Sequence, residues 1–229
     1  MPTTVKKSSI LKLERVKKYY PIKGGLLKRV QGHVKAVEDV SLEMFEGESL
    51  GVVGESGCGK STLGRAVLGL ESVTEGKVIF RGQELQHLSD RNRLPFKKQM
   101  QMIFQDPYAS LNPRQRIGDA LEEVFIMHTK LSSKDRREKV IDLLNEVGLK
   151  EEYYDRYPHE FSGGQRQRIG IARAIALNPS VIICDEAVSA LDVSVQAQVL
   201  KLLKTLQSKY GLTYLFISHD LGVVRYFCN

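Results

Sequence analysis

Absences narrow this 229-residue sequence before any motif is read. Tryptophan is missing, and aromatic residues make up only 7% of the chain. No stretch approaches the roughly 18 consecutive apolar residues that a membrane-spanning helix needs. The N-terminus has no apolar segment of the signal-peptide kind, so the chain is expected to stay in the cytosol. The three cysteines (Cys58, Cys184 and Cys228) are far apart and odd in number. They fit a reducing compartment and offer neither a disulfide framework nor metal-ligand spacing.

What is present is an ordinary globular composition, 42% hydrophobic and 27% charged, in a length that fits one domain with room for a subdomain. The net charge of +7 is unevenly placed: residues 1–35 hold ten Lys/Arg against one Glu, and the remainder is slightly acidic. A basic arm of this kind is ordinarily solvated or lies near an anionic surface, so no nucleic-acid partner is expected.

Short apolar, β-branched runs alternate with helical patterns, which predicts an α/β fold with a parallel sheet. Strands are expected at 10–16, 34–45, 49–53, 77–81, 100–104, 181–184 and 213–217. The first of them follow one another without helices and are expected to pair antiparallel at one edge, within 10–50. The runs "VIIC" and "YLFI" are continuously apolar and read as buried parallel strands. Helices are expected at 60–69, 118–131, 134–148, 163–176 and 194–210. In the last, Val195, Val199, Leu202, Leu203 and Leu206 fall on one face. Residues 107–160 show no strand pattern and read as a helical insertion, and a Lys/Gly-rich loop is expected near 21–33.

The strongest motif is "GVVGESGCGKST". It places Gly54, four residues, then Gly59, Lys60 and Ser61 directly after a strand and at the start of a helix. Glycines let the backbone turn so that successive N–H groups face phosphate oxygens, and the helix N-terminus adds its positive dipole end. Lys60 can reach the β- and γ-phosphates of a nucleotide, and Ser61 can ligate Mg²⁺. A carboxylate at the end of a second strand completes such a site, and "SVIICDEAVSALD" supplies Asp185 and Glu186 there. Asp185 suits Mg²⁺ and Glu186 suits polarising a water.

Together these motifs resemble the nucleotide-binding subunit of an ATP-binding cassette (ABC) transporter, over essentially the whole chain. "SGGQ" (Ser162, Gly163, Gly164 and Gln165) resembles the family's signature motif, and Gln105 its Q-loop glutamine. "SALD" (189–192) resembles the D-loop, and His219 the switch histidine. The resemblance implies a RecA-like P-loop NTPase core (1–106 and 177–229) with an antiparallel β edge and an inserted α-helical subdomain (107–176).

It further implies ATP cradled by Gly54, Glu55, Ser56, Gly57, Cys58, Gly59, Lys60, Ser61 and Thr62. Mg²⁺ would be held at Ser61, Gln105 and Asp185, with Glu186, His219 and Gln105 as the catalytic set. Tyr20, or its neighbour Tyr19, resembles the aromatic that stacks on adenine. Ser162 to Gln165 would act in trans, on the ATP of a second cassette. Arg166 and Arg168, in the same helix, read as a solvated or salt-bridged face, and the other histidines (His33, His87, His128 and His159) as structural.

"FQDPYASLNPR" (104–114) is similar to the Q-loop continuation of dipeptide, oligopeptide and nickel importers. "YYPIKGGLLKRVQGHVKAVEDVS" is similar to the opening of the second of their two ATPases. This implies a sister ATPase in a heterodimer (a homodimer being the alternative), two membrane-spanning permease subunits and an extracellular solute-binding protein. The chain would then sit at the cytoplasmic face of the membrane and power peptide uptake. Nickel cargo, or a soluble ABC ATPase acting on nucleic acid or ribosomes, are the alternatives. Ala187 stands where the family usually has Pro, and family members continue past residue 229 through two more core strands and a C-terminal extension.

Overall fold

A computed structural model of the chain describes residues 8–24, 29–108 and 110–229, with Asp90 described by its backbone alone. Residues 1–7, 25–28 and Ala109 lie outside the described residues, and with them part of the basic N-terminal segment. The chain divides into two compact units, residues 1–97 with 213–229 and residues 98–212.

The first unit opens with β1 (Ser9–Gly24) and β2 (Arg29–Phe45), paired antiparallel along their length. β4 (Glu75–Phe80) pairs with the other edge of β1, and the two-residue β5 (Gln83–Glu84) pairs with β4, both antiparallel. Alternating burial along β1 puts Ile10, Leu11, Leu13 and Val16 in the core at no more than 1% exposure. The antiparallel edge expected within 10–50 therefore recruits a strand from beyond residue 70.

The strand pair also extends into the loop expected near 21–33, β1 reaching Gly24 and β2 starting at Arg29. Beyond residue 20 most of its residues are exposed, so no apolar alternation marks the strands. Register partners such as Tyr20 with Val34 and Ile22 with Gly32 hold them instead.

The same unit holds β3 (Ser49–Val53) and β8 (Thr213–Ser218), paired parallel from Ser49 with Tyr214 to Val53 with Ser218. β3 leads through residues 54–59 into α1 (Lys60–Val67), and β8 leads into α7 (Leu221–Phe227). α7 crosses β3 at Gly51, where a Cβ would stand 2.5 Å from a Val224 methyl. α2 (Asp90–Gln99) escapes the periodicity reading because it is strongly polar and carries Pro95 inside it.

The second unit holds the parallel pair β6 (Met100–Ile103) and β7 (Val181–Asp185). All five residues of β7 are buried, as the run "VIIC" predicts. Between these strands lie α3 (Ile117–His128), α4 (Ser133–Glu146), 3₁₀ turns at Glu151–Asp155 and Pro158–Glu160, and α5 (Gly163–Ile175). α6 (Val193–Tyr210) follows β7 and stops at Gly211, whose φ of 66° lets its N–H close on the Gln207 carbonyl. Its buried residues are Val199, Leu200, Leu203 and Leu206, with Val195 and Leu202 at the margin of the stripe.

Candidate functional site

In the first unit, the loop between β3 and α1 is built around glycine. Gly57 and Gly59 have φ of 79° and 97°, where other residues are strained. At Gly59 the constraint is also spatial: a Cβ would sit 1.8 Å from the carbonyl oxygen of Ala36 on β2. At Gly57 a Cβ would meet nothing within 4 Å. The loop is therefore braced against β2 at one point and open at the other.

Lys60, 7% exposed, folds back into the loop, and its Nζ donates to the carbonyls of Gly54 (2.8 Å) and Glu55 (2.6 Å). The ammonium thus lies among the groups that would face a phosphate and can exchange carbonyl partners for phosphate oxygens. Ser61 and Thr62 follow in the first turn of α1, and Cys58 is exposed with its Sγ 3.8 Å from Lys60 Nζ.

His219 belongs to this unit. It follows Ser218, the register partner of Val53, so His219 and Gly54 leave the same end of the β3–β8 pair. The next residue, Asp220, caps α7 by accepting from the N–H groups of Gly222 (2.7 Å) and Val223 (3.2 Å). That leaves His219 itself exposed at a defined strand-to-helix corner.

The two tyrosines are distinguished here. The Tyr19 hydroxyl donates to Glu38 at 2.7 Å, which pushes the phenol's pKa up. Tyr20 is half-buried on β1, with the Lys18 ammonium 4.8 Å from its ring centroid. Lys18 is held in turn by Ser72 and Glu71.

The second unit gathers the acidic half. Ile103 pairs with Cys184, so Gln105 and the Asp185–Glu186 pair leave the same end of β6 and β7. Asp185 is 3% exposed. Glu186 has a φ of 47°, a conformation that costs a side-chain-bearing residue about 1–2 kcal/mol. The Ser189 N–H (3.1 Å) and hydroxyl (3.0 Å) hold it by donating to its carbonyl, which tightens the 186–191 turn. Such strain is typical of a functional corner. Gln105 Nε2 donates to Glu186 Oε2 at 3.1 Å, so two residues read separately from the sequence are joined directly.

Ser162 caps α5 in a reciprocal box. Its Oγ accepts from the Gln165 N–H (3.3 Å), and Gln165 Oε1 accepts from the Ser162 N–H (3.0 Å). Gly164 serves packing here: a Cβ on it would lie 2.4 Å from Val195 Cγ1 of α6. Gly163 has more room, with Leu191 Cδ2 at 3.6 Å. Arg168 donates to the Val147 carbonyl (2.7 Å) and to Gln198 (3.3 Å), while Arg166 lies over the Tyr108 ring at 5.2 Å. Burial pulls the pKa of Arg173, on the same helix, down, and its guanidinium donates to the Ser110 carbonyl. Sequence reasoning missed the Ala36 brace and the Val195 contact, because neither has a signal in its own segment.

Comparison with known proteins agrees with these motifs. A family model described as "ABC transporter" matches residues 37–189. The oligopeptide transport ATP-binding protein AppF of Bacillus subtilis (strain 168) is 55% identical over 98% of this chain and 68% of its own length. The dipeptide transport ATP-binding protein DppF of Haemophilus influenzae is 54% identical over 93% of this chain and 65% of its own. The chain spans about two thirds of the length of these relatives. Among solved structures, a dimeric ATP-binding cassette in a post-hydrolysis state, bound to ADP and inorganic phosphate, superposes with a TM-score of 0.83 at 31% identity. The match covers 95% of this chain and 91% of that one. No helix among the described residues is long and apolar enough to cross a membrane.

Proposed function

The chain belongs to the ABC transporter family, and from that premise we propose that it is the ATP-hydrolysing subunit of an importer that carries oligopeptides or dipeptides across the cytoplasmic membrane. One observation carries the nucleotide reading: a glycine loop braced on β2, with the Lys60 ammonium tucked beneath it at the N-terminus of α1. Lys60 exchanges the Gly54 and Glu55 carbonyls for β- and γ-phosphate oxygens, while loop N–H groups and the helix dipole bind the rest of the phosphate chain.

The Ser61 hydroxyl, the Asp185 carboxylate and the Gln105 amide oxygen are hard oxygen donors of the kind Mg²⁺ takes, and these residues would hold it. That ion, when bound, neutralises charge on the phosphate oxygens. Glu186 orients a water and takes its proton, and His219 reads the γ-phosphate. Tyr20 stacks on adenine. Ser162 acts on the nucleotide of a second cassette. Its Oγ already accepts from Gln165, so it meets that phosphate as a donor.

The partners follow from the same reading: a sister ATPase, two permease subunits and, through them, an extracellular solute-binding protein. The cassette sits peripherally at the cytoplasmic face of the membrane. A groove of about 390 Å³ in the second unit, lined by Leu111, Asn112, Gln115, Glu123, Met127 and Arg173, supports permease docking beside residues 105–115.

Calorimetric titration of Mg·ATP tests the nucleotide reading: Lys60→Ala is expected to abolish useful binding, and unchanged affinity refutes it. The cargo is tested in vesicles holding both permeases. Peptide-loaded binding protein is expected to stimulate ATP hydrolysis and nickel-loaded binding protein is not, and the reverse result refutes peptide import.

A further inference from the structure

Lys18 on β1 is only 7% exposed, although lysine is among the residues least often buried. Two groups in the segment after α1 hold its ammonium, the Glu71 carboxylate at 3.3 Å and the Ser72 hydroxyl at 3.3 Å. Its other neighbour is the Tyr20 ring, whose centroid lies 4.8 Å from Nζ. Lys18 and Tyr20 stand two apart on a strand, which puts them on one face.

The segment that holds Lys18 is itself tied down at both ends. Toward α1, the N–H groups of Leu70 (2.9 Å) and Glu71 (3.3 Å) both donate to the carbonyl of Arg65, in the last turn of that helix. Toward β1, the Thr74 N–H donates to the Lys17 carbonyl (2.7 Å), and the Thr74 hydroxyl accepts from the Tyr19 N–H (2.9 Å). The main chain of β1 is thus anchored to this segment without help from Lys18. A methionine would fill much the same volume and spare the cost of taking a charge out of water. What only the charge adds is attraction for an aromatic ring, and the ring beside it is Tyr20.

We propose that Lys18 is a positioning residue for the base of the nucleotide, a role that rests on α1 taking the phosphates and Tyr20 the adenine. The ammonium, fixed by Glu71 and Ser72, holds the Tyr20 ring in the orientation that stacks. Because Glu71 is bonded to the last turn of α1, the base platform is set relative to the helix that receives the phosphates. Without the charge the ring turns more freely, and the base loses its contact while the phosphates keep theirs.

Calorimetry on the full chain, with Mg·ATP and Mg·tripolyphosphate as the two ligands, tests this, since tripolyphosphate keeps the phosphates and lacks the base. Tyr20→Ala is expected to weaken ATP binding by about ten- to a hundredfold, the worth of a stacked base. Lys18→Met is expected to weaken it by about three- to tenfold and to leave tripolyphosphate affinity unchanged. In the Tyr20→Ala background Lys18→Met should have no further effect. Lys18→Met strands the Glu71 carboxylate, so Lys18→Met/Glu71→Gln, which leaves no lone charge, is the second variant. Circular dichroism checks that both fold. Should neither fold, Glu71→Gln alone, at a half-buried position, decides, with an expected loss of about threefold for ATP and none for tripolyphosphate. Wild-type ATP affinity in a folded variant overturns the proposal. So does an equal loss for both ligands, which is what a purely structural tie between β1 and α1 gives. Unchanged ATP affinity in Tyr20→Ala refutes base stacking itself and the role of Lys18 with it. A large loss there beside wild-type affinity in the lysine variants refutes the role of Lys18 alone.

Discussion

Gly59→Ala and Gly57→Ala change the same loop by the same methyl group, yet they are expected to behave differently. At Gly57, φ is 79° and a Cβ meets nothing within 4 Å. The cost is backbone strain alone, about 1–2 kcal/mol of stability, and the loop keeps its shape. At Gly59, φ is 97° and the new Cβ falls 1.8 Å from the Ala36 carbonyl oxygen. That oxygen belongs to β2 and cannot swing aside as a flexible side chain could, so the loop must move by about 1 Å or more to restore van der Waals contact. A clash of this kind belongs with the substitutions that cost more than about 4 kcal/mol.

Thermal unfolding and Mg·ATP calorimetry, run in parallel on both variants, separate the cases. Gly57→Ala should lose stability modestly and keep ATP affinity within a few-fold. Gly59→Ala should lose several times more stability and, displaced from its cradle geometry, nearly all ATP affinity. Should the two variants bind ATP equally, the phosphate loop is not braced on β2.

Glu186→Gln is expected to retain Mg·ATP and lose about 10²–10⁴ in turnover by steady-state phosphate release, since a positioned base contributes about that much. A bulky residue at Ser162 should leave ATP affinity of the isolated chain nearly unchanged and stop ATP-driven dimer formation. Loss of monomer affinity as severe as in Lys60→Ala would place the signature in cis. Burial and the bond to Glu122 push the Tyr154 phenol up to about 12. The folded state therefore holds that proton where the unfolded state has released it, and stability falls as pH rises from about 10 to about 12. Chemical denaturation across that range should show the fall in the wild type and a shallower one in Tyr154→Phe. Filter binding should detect at most weak nucleic-acid retention that disappears steeply with salt.

Local chemistry was legible because it lies in short contiguous segments. "GVVGESGCGKST" specifies a strand, a glycine turn and a helix start within twelve residues, and each step follows from backbone sterics. "VIICDE" likewise announces a buried strand with carboxylates at its tip, and "FSGGQ" a helix N-terminus with its cap. The exposed end of the β1–β2 pair and the polar α2 were not legible, because apolar periodicity is the primary signal and neither segment buries a continuous face.

By itself, then, the sequence determined the motif chemistry, the α/β class and the family. Tertiary structure alone decided what individual residues are for. Gly59 is excluded from carrying a side chain by a β2 carbonyl, and Gly164 by a valine on α6. Gln105 is joined to Glu186 across 81 residues of chain. Arg166 and Arg168 read from the sequence as a solvated or salt-bridged face, and only folding sets Arg166 over the Tyr108 ring and Arg168 on the Val147 carbonyl. The physical reason is the same throughout: propensity, capping and phosphate-loop geometry act over a few bonds, whereas excluded volume and hydrogen-bond satisfaction depend on what folding brings alongside.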